Sequence, residues 1–145
     1  MGKTAKDVMN KAISFVGTNA EKAKNITIRN LKVETRGLYN QEVGQKYKNQ
    51  IVFQYVDQIL VERCEFYISR KFPFDLEKED IPEAARKLEY SCLDLYTGWE
   101  NVTVRNCRIR NEAGAHYGVC AQFRDIWNAG GKNVLFYDNY CYSNS

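Results

Sequence analysis

The chain is poor in the residue types that form metal sites and acid–base sites. Its 145 residues include one histidine, His116, and five cysteines without a Cys-x-x-Cys pair. A single histidine with scattered acids does not form a ligand cluster, and this cysteine pattern indicates no disulfide framework. We therefore predict buried free thiols, no zinc site and no cofactor. A calcium ion held by acidic loops stays open as an alternative.

Other absences narrow the class of partner. The net charge is only +3, and no basic run is dense enough for a nucleic-acid patch, so no nucleic-acid partner is predicted. The chain has no signal-peptide pattern and no apolar run of membrane-spanning length, so no membrane partner is predicted either. Hydrophobic residues make up 44% of the sequence, which indicates a folded domain rather than disorder.

What the chain does have is a ten-residue phrase that occurs four times. The copies are residues 25–34, 58–67, 101–110 and 133–142, and their starts are 33, 43 and 32 residues apart. Asn or Gln opens each copy, and β-branched or aromatic residues hold the second and fourth places. The ninth place is also β-branched or aromatic in three copies and is Cys141 in the last. A repeat of this size indicates one structural unit stacked on itself.

Each unit is predicted to be one coil of three strands. Alternating runs at 51–55, 92–96 and 119–123 precede three of the phrases and supply the first strand of their coils. The second and third strands lie within the phrase, on either side of a bend. The bends are predicted at Asn30-Leu31, Arg63-Cys64, Asn106-Cys107 and Asp138-Asn139, since Asn and Asp tolerate left-handed backbone angles.

The phrase also predicts which side chains stack. Three inward columns are expected: Ile26–Ile59–Val102–Val134, Ile28–Val61–Val104–Phe136 and Val33–Phe66–Ile109–Cys141. Two outward columns are expected: Arg29–Glu62–Arg105–Tyr137 and Lys32–Glu65–Arg108–Tyr140. Opposite charges on adjacent strands contribute roughly 0.2–1 kcal/mol each. We interpret these charges as structural rather than catalytic.

Two segments depart from the repeat. Residues 5–16 place apolar side chains on one helical face and predict a capping helix within a lead-in over residues 1–24. The alternative is that residues 12–16 already form a strand. Residues 70–90 carry five basic and six acidic residues and predict an inserted loop with a short helix.

A phrase such as Asn101-Val-Thr-Val-Arg-Asn-Cys-Arg-Ile109 resembles the right-handed parallel β-helix of the pectate-lyase-like superfamily. The resemblance covers residues 25–145 and implies an all-β fold of about four coils in one domain, 1–145, with an N-terminal capping helix. Polysaccharide lyases, glycoside hydrolases, pectin esterases, phage tailspikes and adhesins share this fold. The implied partner is a polysaccharide or cell-surface glycan, and a tailspike-like protein would be a homotrimer. Because the sequence stops directly after the fourth phrase, we expect a fragment of a longer protein, virion-associated or extracellular.

No known active site can be transferred to this chain. The Asn-Thr-Asp, Asp-Asp and Gly-His-Gly motifs of polygalacturonases are missing, as is the Trp-Ile-Asp-His signature of pectate lyases. His116 lies in Gly114-Ala-His-Tyr-Gly118, and Asp125-Ile-Trp127 matches the lyase signature only in composition. The resemblance therefore predicts a fold and a substrate class, not a reaction.

The candidate catalytic residues come from the first strands and their loops. Hydrolysis of a glycosidic bond needs two carboxylates, and Asp94 with Asp125 or Glu112 is the predicted pair. Lyase chemistry needs a base and a cation, for which His116 and Arg124 are the candidates.

Candidate substrate-binding residues surround that predicted pair. Gln54 and Gln122 are expected to stack with Asp94. The competing role for this stack is a hydrogen-bonded ladder of side chains that only supports the fold. Aromatic residues that suit sugar stacking are Tyr96, Trp99, Tyr117 and Trp127. Buried packing is the competing role for each ring.

Two other functions stay open. The first is that the chain is a non-enzymatic structural or adhesive segment. The second is that it is a cysteine peptidase of the phage CHAP type. Residues 6–17 and 120–127 resemble the opening and nucleophile helices of that peptidase family. Such an enzyme needs a histidine downstream of its cysteine, whereas His116 precedes Cys120.

Overall fold

The chain folds into parallel strands that form three sheets. A computed structural model describes residues 11–37, 47–70, 89–112, 117–125 and 127–143, and every regular element in those ranges is a β-strand. None of those ranges contains a helix long and apolar enough to cross a membrane. The strands are β1 Lys11–Val16, β2 Ala23–Arg29, β3 Lys32–Gly37, β4 Tyr47–Gln54, β5 Val56–Glu62, β6 Glu65–Arg70, β7 Glu89–Thr97, β8 Glu100–Arg105, β9 Arg108–Asn111, β10 Tyr117–Phe123, β11 Lys132–Tyr137 and β12 Tyr140–Ser143.

The chain visits the three sheets in turn. Sheet A has the strand order β1-β4-β7-β10, sheet B has β2-β5-β8-β11 and sheet C has β3-β6-β9-β12. All neighbouring strands run parallel. Three consecutive strands therefore make one circuit, which we call a coil: β1–β3 form coil 1, β4–β6 coil 2, β7–β9 coil 3 and β10–β12 coil 4.

The register in sheets B and C confirms every column that the repeat predicts. Ile26 pairs with Ile59, Ile59 with Val102, and Val102 with Val134. The other two inward columns and both outward columns form in the same way. Strand pleating then turns the second, fourth and ninth residues of each phrase toward the core and the third, fifth and eighth outward. The seventh residue, at the bend, is also buried in the middle coils, where it is Cys64 and Cys107.

The core is concentrated in coils 2 and 3. Phe53, Val61, Leu93 and Val104 are completely buried there. The same inward positions are more open in coil 4, where the Phe136 side chain is 36% exposed. Because burial of apolar surface drives folding, the two middle coils contribute most of the stability.

Left-handed backbone angles recur at the predicted bends. The φ angles of Asn30, Arg63, Asn106 and Asp138 are 56°, 52°, 53° and 53°. The structure adds a second set of such angles that the sequence did not predict, at the residue that opens each phrase: Asn25, Gln58, Asn101 and Asn133, with φ between 50° and 59°. Asn adopts this conformation more readily than most residues, which accounts for the asparagine in three of the four copies.

The helix predicted over residues 5–16 is wrong for residues 11–16, which form β1, while residues 5–10 lie outside the described ranges. The alternative strand over residues 12–16 is the one observed. Ile13 and Phe15 are in register with Ile51 and Phe53, and the rings of Phe15 and Phe53 stack with centroids 5.5 Å apart. Pairing with β4 therefore decides the conformation of a segment whose apolar residues fit either period.

The insertion predicted at residues 70–90 falls between coils 2 and 3. Strand β6 extends to Arg70 and β7 begins at Glu89, so the strands enter both ends of the predicted segment. Residues 71–88, with the predicted short helix, lie outside the described ranges.

Candidate functional site

Asp94 lies at the centre of the candidate site, on β7 in sheet A. The residue is fully buried, and its carboxylate accepts a hydrogen bond from Arg124 Nε at 3.0 Å and a second from the other end of that guanidinium. Asn49 Nδ2 donates to Asp94 Oδ2 at 2.6 Å. A buried carboxylate is stable only when a cation and hydrogen bonds replace its water. Arg124 and Asn49 therefore stabilise the buried carboxylate of Asp94 as part of the fold.

The predicted stack of Gln54, Asp94 and Gln122 is half right. Asp94 is in register with Gln122 on β10, but on β4 it faces Val52. Gln54 faces Thr97 instead, just after a register shift between Phe53 and Gln54. The core sets this register, because it pairs Phe53 with Leu95, and Gln54 consequently lies beyond the carboxylate.

Gln122 is half-buried beside Asp94. Its Oε1 atom is inaccessible to solvent and accepts no hydrogen bond within the described part of the chain. A buried acceptor of this kind costs roughly 1–3 kcal/mol if it stays unpaired.

Three aromatic rings meet at the end of sheet A. Trp127, from the loop after β10, stacks on Tyr55 with centroids 6.2 Å apart and 23° between the planes. It meets Tyr96 edge-on at 5.4 Å. The Trp127 side chain stays 54% exposed, whereas both tyrosines are half-buried. We call Tyr55, Tyr96 and Trp127 the aromatic platform.

Arg124 joins the aromatic platform to Asp94. Its guanidinium carbon lies 4.9 Å from the centroid of the Tyr96 ring, within the range of a cation–π contact. The same guanidinium forms the ion pair with Asp94. Because Arg124 is held on two sides, Tyr96 and the platform have a fixed position relative to the buried carboxylate.

Tyr55 holds its place in the platform in a strained conformation. Its φ is 50°, which is unusual for a bulky residue and costs on the order of 1–3 kcal/mol. Backbone hydrogen bonds of 2.9 Å, from Tyr55 N to Thr97 O and from Ala23 N to Tyr55 O, fix it there. Gly98 leaves room for the ring, since a Cβ at that residue would lie 2.5 Å from Tyr55 Cδ1. Such strain tends to persist where function requires it.

Asp125 organises the loop that carries Trp127. Its Oδ1 accepts hydrogen bonds from Thr97 Oγ1 and from Ala129 N, both at 3.0 Å. Its Oδ2 accepts one from Gly130 N at 3.1 Å. Both oxygens of this predicted catalytic carboxylate are therefore engaged in holding the loop against β7.

Trp99 packs beneath the same loop. Its Nε1 donates to Arg124 O at 2.7 Å, and its ring meets Phe123 edge-on at 6.4 Å. A Cβ at Gly131 would lie 2.4 Å from the indole, so the loop closes over Trp99 only because residue 131 is glycine. This predicted sugar-stacking residue thus has a packing role.

Glu112 lies on a different face from Asp94, directly after β9 of sheet C. It accepts a hydrogen bond from the Tyr67 hydroxyl at 2.8 Å and forms an ion pair with Arg110. The bond from Tyr67, followed by that from Arg110, lowers the pKa of Glu112, and the bond to Glu112 raises the pKa of Tyr67. Tyr67 and Arg110 also line a shallow depression of about 270 Å³ on this face.

Two predicted site residues fall wholly or partly outside the described ranges. His116 lies outside the described ranges, as does the side chain of Tyr117, whose backbone begins β10. Within those ranges no group of three or more His, Cys, Asp or Glu side chains is placed to hold a metal ion.

The cysteines are free thiols, and three of the five are buried: Cys64, Cys92 and Cys107. Cys120 is half-buried, and burial raises the pKa of its thiol to about 11. The nucleophile of a cysteine peptidase is a thiolate, which a raised pKa disfavours. Residues 120–123 moreover belong to strand β10, where the peptidase resemblance implies a helix.

Sequence reasoning missed Tyr55 and Asn49. Tyr55 stands at the corner between the first two strands of its coil, where the next coil has Gly98, and an aromatic residue in a glycine position is a usable signal. Asn49 carries no such signal, since only the register of β4 on β7 brings it to Asp94.

Comparisons with protein-family models, with curated proteins and with solved structures find no match for this chain.

Proposed function

We propose that this chain is a right-handed parallel β-helix of the pectate-lyase-like kind and that it binds a polysaccharide without cleaving it. The support for the fold is the circuit of three parallel sheets with continuous side-chain columns. The single observation behind the binding function is the aromatic platform, in which the residue Trp127 is 54% exposed beside the half-buried residues Tyr55 and Tyr96.

The platform has the chemistry of a sugar subsite. The apolar face of a pyranose ring stacks on an aromatic ring, while its hydroxyls need polar partners at the rim. Trp127 presents the ring, and Tyr96, whose ring centroid lies 5.4 Å away, carries a hydroxyl as a polar group. The strained Tyr55 supports the same reading, because its ring is held under Trp127 at a cost in backbone energy.

The engagement of the carboxylates favours binding over cleavage. Hydrolysis needs an acid and a second carboxylate at the bond, separated by roughly 5–10 Å. Asp94 is buried against Arg124, Asp125 holds its own loop, and Glu112 lies on the other sheet with Tyr67. Each carboxylate therefore already contacts protein groups that hold the fold together, and this is the role we assign to it instead of catalysis.

The test is to measure both binding and product formation on a panel of acidic and neutral polysaccharides. We expect retention on at least one polymer in affinity electrophoresis, with no release of reducing ends and no absorbance from unsaturated sugars. Trp127→Ala should weaken binding about tenfold or more, the effect of losing a central aromatic contact. Trp127→Phe should retain most of the affinity.

The matched control is Tyr142→Ala, which removes an aromatic side chain of similar exposure (43%) from sheet C. It should leave affinity unchanged. Equal losses in Trp127→Ala and Tyr142→Ala, or no binding by a folded wild-type chain, would rule out the platform as the site. Product release that Asp94→Asn abolishes would establish an enzyme instead.

A further inference from the structure

Sheet C presents an outward face on which charges and tyrosine rings alternate from coil to coil. Pleating turns two columns outward there, and in order from coil 1 to coil 4 they are Lys32–Glu65–Arg108–Tyr140 and Glu34–Tyr67–Arg110–Tyr142. The side chains of Lys32 and Glu65 are 66% and 59% exposed, and Tyr140 is 56% exposed. Side chains of both signs therefore reach solvent on this face.

Arg108 has the least compensated charge on the face. Its guanidinium carbon lies 5.4 Å from the ring centroid of Tyr140. Glu65, its neighbour in register, forms an ion pair with Lys32 instead, with 3.6 Å between Oε2 and Nζ. In the part of the chain that the structure describes, no carboxylate lies within ion-pair distance of Arg108. Its guanidinium is therefore available to a carboxylate of another molecule.

The order of the side chains makes this face complementary to itself. Two copies can meet face to face through a two-fold axis that lies between them, parallel to the strands. That axis sets each column opposite the same column of the second copy and reverses the order of the coils, so coil 2 faces coil 3. Glu65 then lies opposite Arg108 of the second copy, and Tyr67 lies opposite Arg110. Symmetry forms each of these contacts twice.

The outer coils complete the match without a like-charge pair. Lys32 faces the ring of Tyr140 of the second copy, and Glu34 faces Tyr142, whose hydroxyl is a hydrogen-bond donor. These pairs lie at the rim of the contact, where a single side chain contributes little to affinity. The two opposite-charge pairs at the centre are therefore the contacts that select a second copy.

Other face-to-face arrangements bring like charges together. A two-fold axis along the stack of coils would set the first column against the second, with Arg108 opposite Arg110. An axis parallel to the strands but centred on coil 3 would put Arg108 opposite its own copy. The two columns together carry three cations and two carboxylates, so the face also lacks the strong single sign that would attract a highly charged polymer.

We propose that the outward face of sheet C is the contact surface of a two-fold homodimer, in which Glu65 of each copy pairs with Arg108 of the other. Strands of four to six residues, about 4.8 Å apart, give a face of roughly 15–20 Å on each side. Such a face is smaller than the roughly 800 Å² per partner that is typical of a stable complex. The dimer is therefore weak and sensitive to salt, with a dissociation constant in the micromolar range or above.

Analytical ultracentrifugation of the full chain, from micromolar to millimolar concentration, tests the proposal. We expect monomer and dimer in equilibrium. Glu65→Arg and Arg108→Glu should each weaken dimerisation about tenfold or more, because each substitution puts two like-charge pairs at the centre of the contact. An equimolar mixture of the two variants should recover the association of the wild-type chain, since every arginine then faces a glutamate.

The matched control is Lys24→Glu, which makes the same change in net charge at an exposed position of sheet B. It should leave dimerisation unchanged, and circular dichroism checks that each variant is folded. A single-chain mass at every concentration, or an oligomer of more than two chains, would overturn the proposal. A mixture that associates no better than its two components, or an equal loss in Lys24→Glu and Arg108→Glu, would do so as well.

Discussion

At the scale of single residues, the structure shows charges used to tie coils together. Glu62 is 5% exposed and accepts hydrogen bonds from Arg105 on coil 3 and Arg29 on coil 1. The bond from Arg105 is the main cause that lowers the pKa of Glu62, with that from Arg29 and the charges of both arginines acting in the same sense. One carboxylate thereby links three successive coils.

Glu62→Gln should lower the free energy of unfolding at neutral pH. A carboxyl whose pKa is lowered by folding stabilises the fold above its unfolded pKa, and that contribution is lost as pH falls through its folded pKa. The deficit of the variant should therefore shrink as the pH is lowered from 7 to about 3, below the usual carboxyl range. Urea unfolding across that pH range measures it.

The matched control is Glu65→Gln in the neighbouring outward column. The Glu65 side chain is 59% exposed, and its Oε2 lies 3.6 Å from Lys32 Nζ. Exposed pairs of this kind contribute about 0–1 kcal/mol, so little change is expected at any pH. A pH-independent deficit in Glu62→Gln would show that packing, and not charge, accounts for its effect.

The residue scale also shows what sequence reasoning can and cannot reach. The neighbours of Glu62 were predictable, because a repeat places Arg29, Glu62 and Arg105 in equivalent positions. Of the partners of Asp94, Arg124 was already a candidate from the sequence, and the structure brings it to the carboxylate. Asn49 was not predictable, because it reaches Asp94 through a register that Phe53 and Leu95 determine. A sequence repeat predicts contacts only between equivalent positions of its copies, so it does not predict a contact that occurs once.

At the scale of elements, the recurring left-handed residues determine where strands turn. Gln58 opens its phrase with φ 57°, whereas the other three copies open with asparagine. Ordinary side chains lose roughly 1–2 kcal/mol in this conformation, and asparagine loses less because its short polar group can bond locally.

Gln58→Asn should raise the free energy of unfolding by about 0.5–1 kcal/mol through relief of that strain. Thermal and urea unfolding measure the difference. Gln54→Asn is the control, since it makes the same chemical change at the end of β4, where φ is not in the left-handed region. If Gln54→Asn gave an equal gain, the effect would not arise from the left-handed conformation.

Element boundaries were predictable wherever the phrase recurs and failed where it does not. Strands β2, β3, β5, β6, β8 and β9 follow from four similar copies read together. The first twenty-four residues have no second copy to compare with. Ile13 and Val16 have the spacing of one face of a helix, whereas Ile13 and Phe15 have the alternation of a strand. Pairing with β4, a non-local interaction, determines the outcome.

At the scale of the whole molecule, stability should vary from coil to coil. Ile59 and Ile26 occupy the same inward column, but Ile59 is 2% exposed and Ile26 is only half-buried. Ile59→Ala should cost about 2–5 kcal/mol of unfolding free energy, and Ile26→Ala clearly less. Equal costs in urea unfolding would contradict a core concentrated in coils 2 and 3.

The columns that carry this architecture also determine how it transmits force. Backbone hydrogen bonds of all three sheets join one coil to the next, so a load applied between the two ends falls on coil boundaries in succession. Under tension the molecule should peel one coil at a time, in several small extensions. A load directed across the coils meets every ladder at once and should be resisted until they fail together. The molecule is thus mechanically anisotropic, compliant along its length and stiff across it.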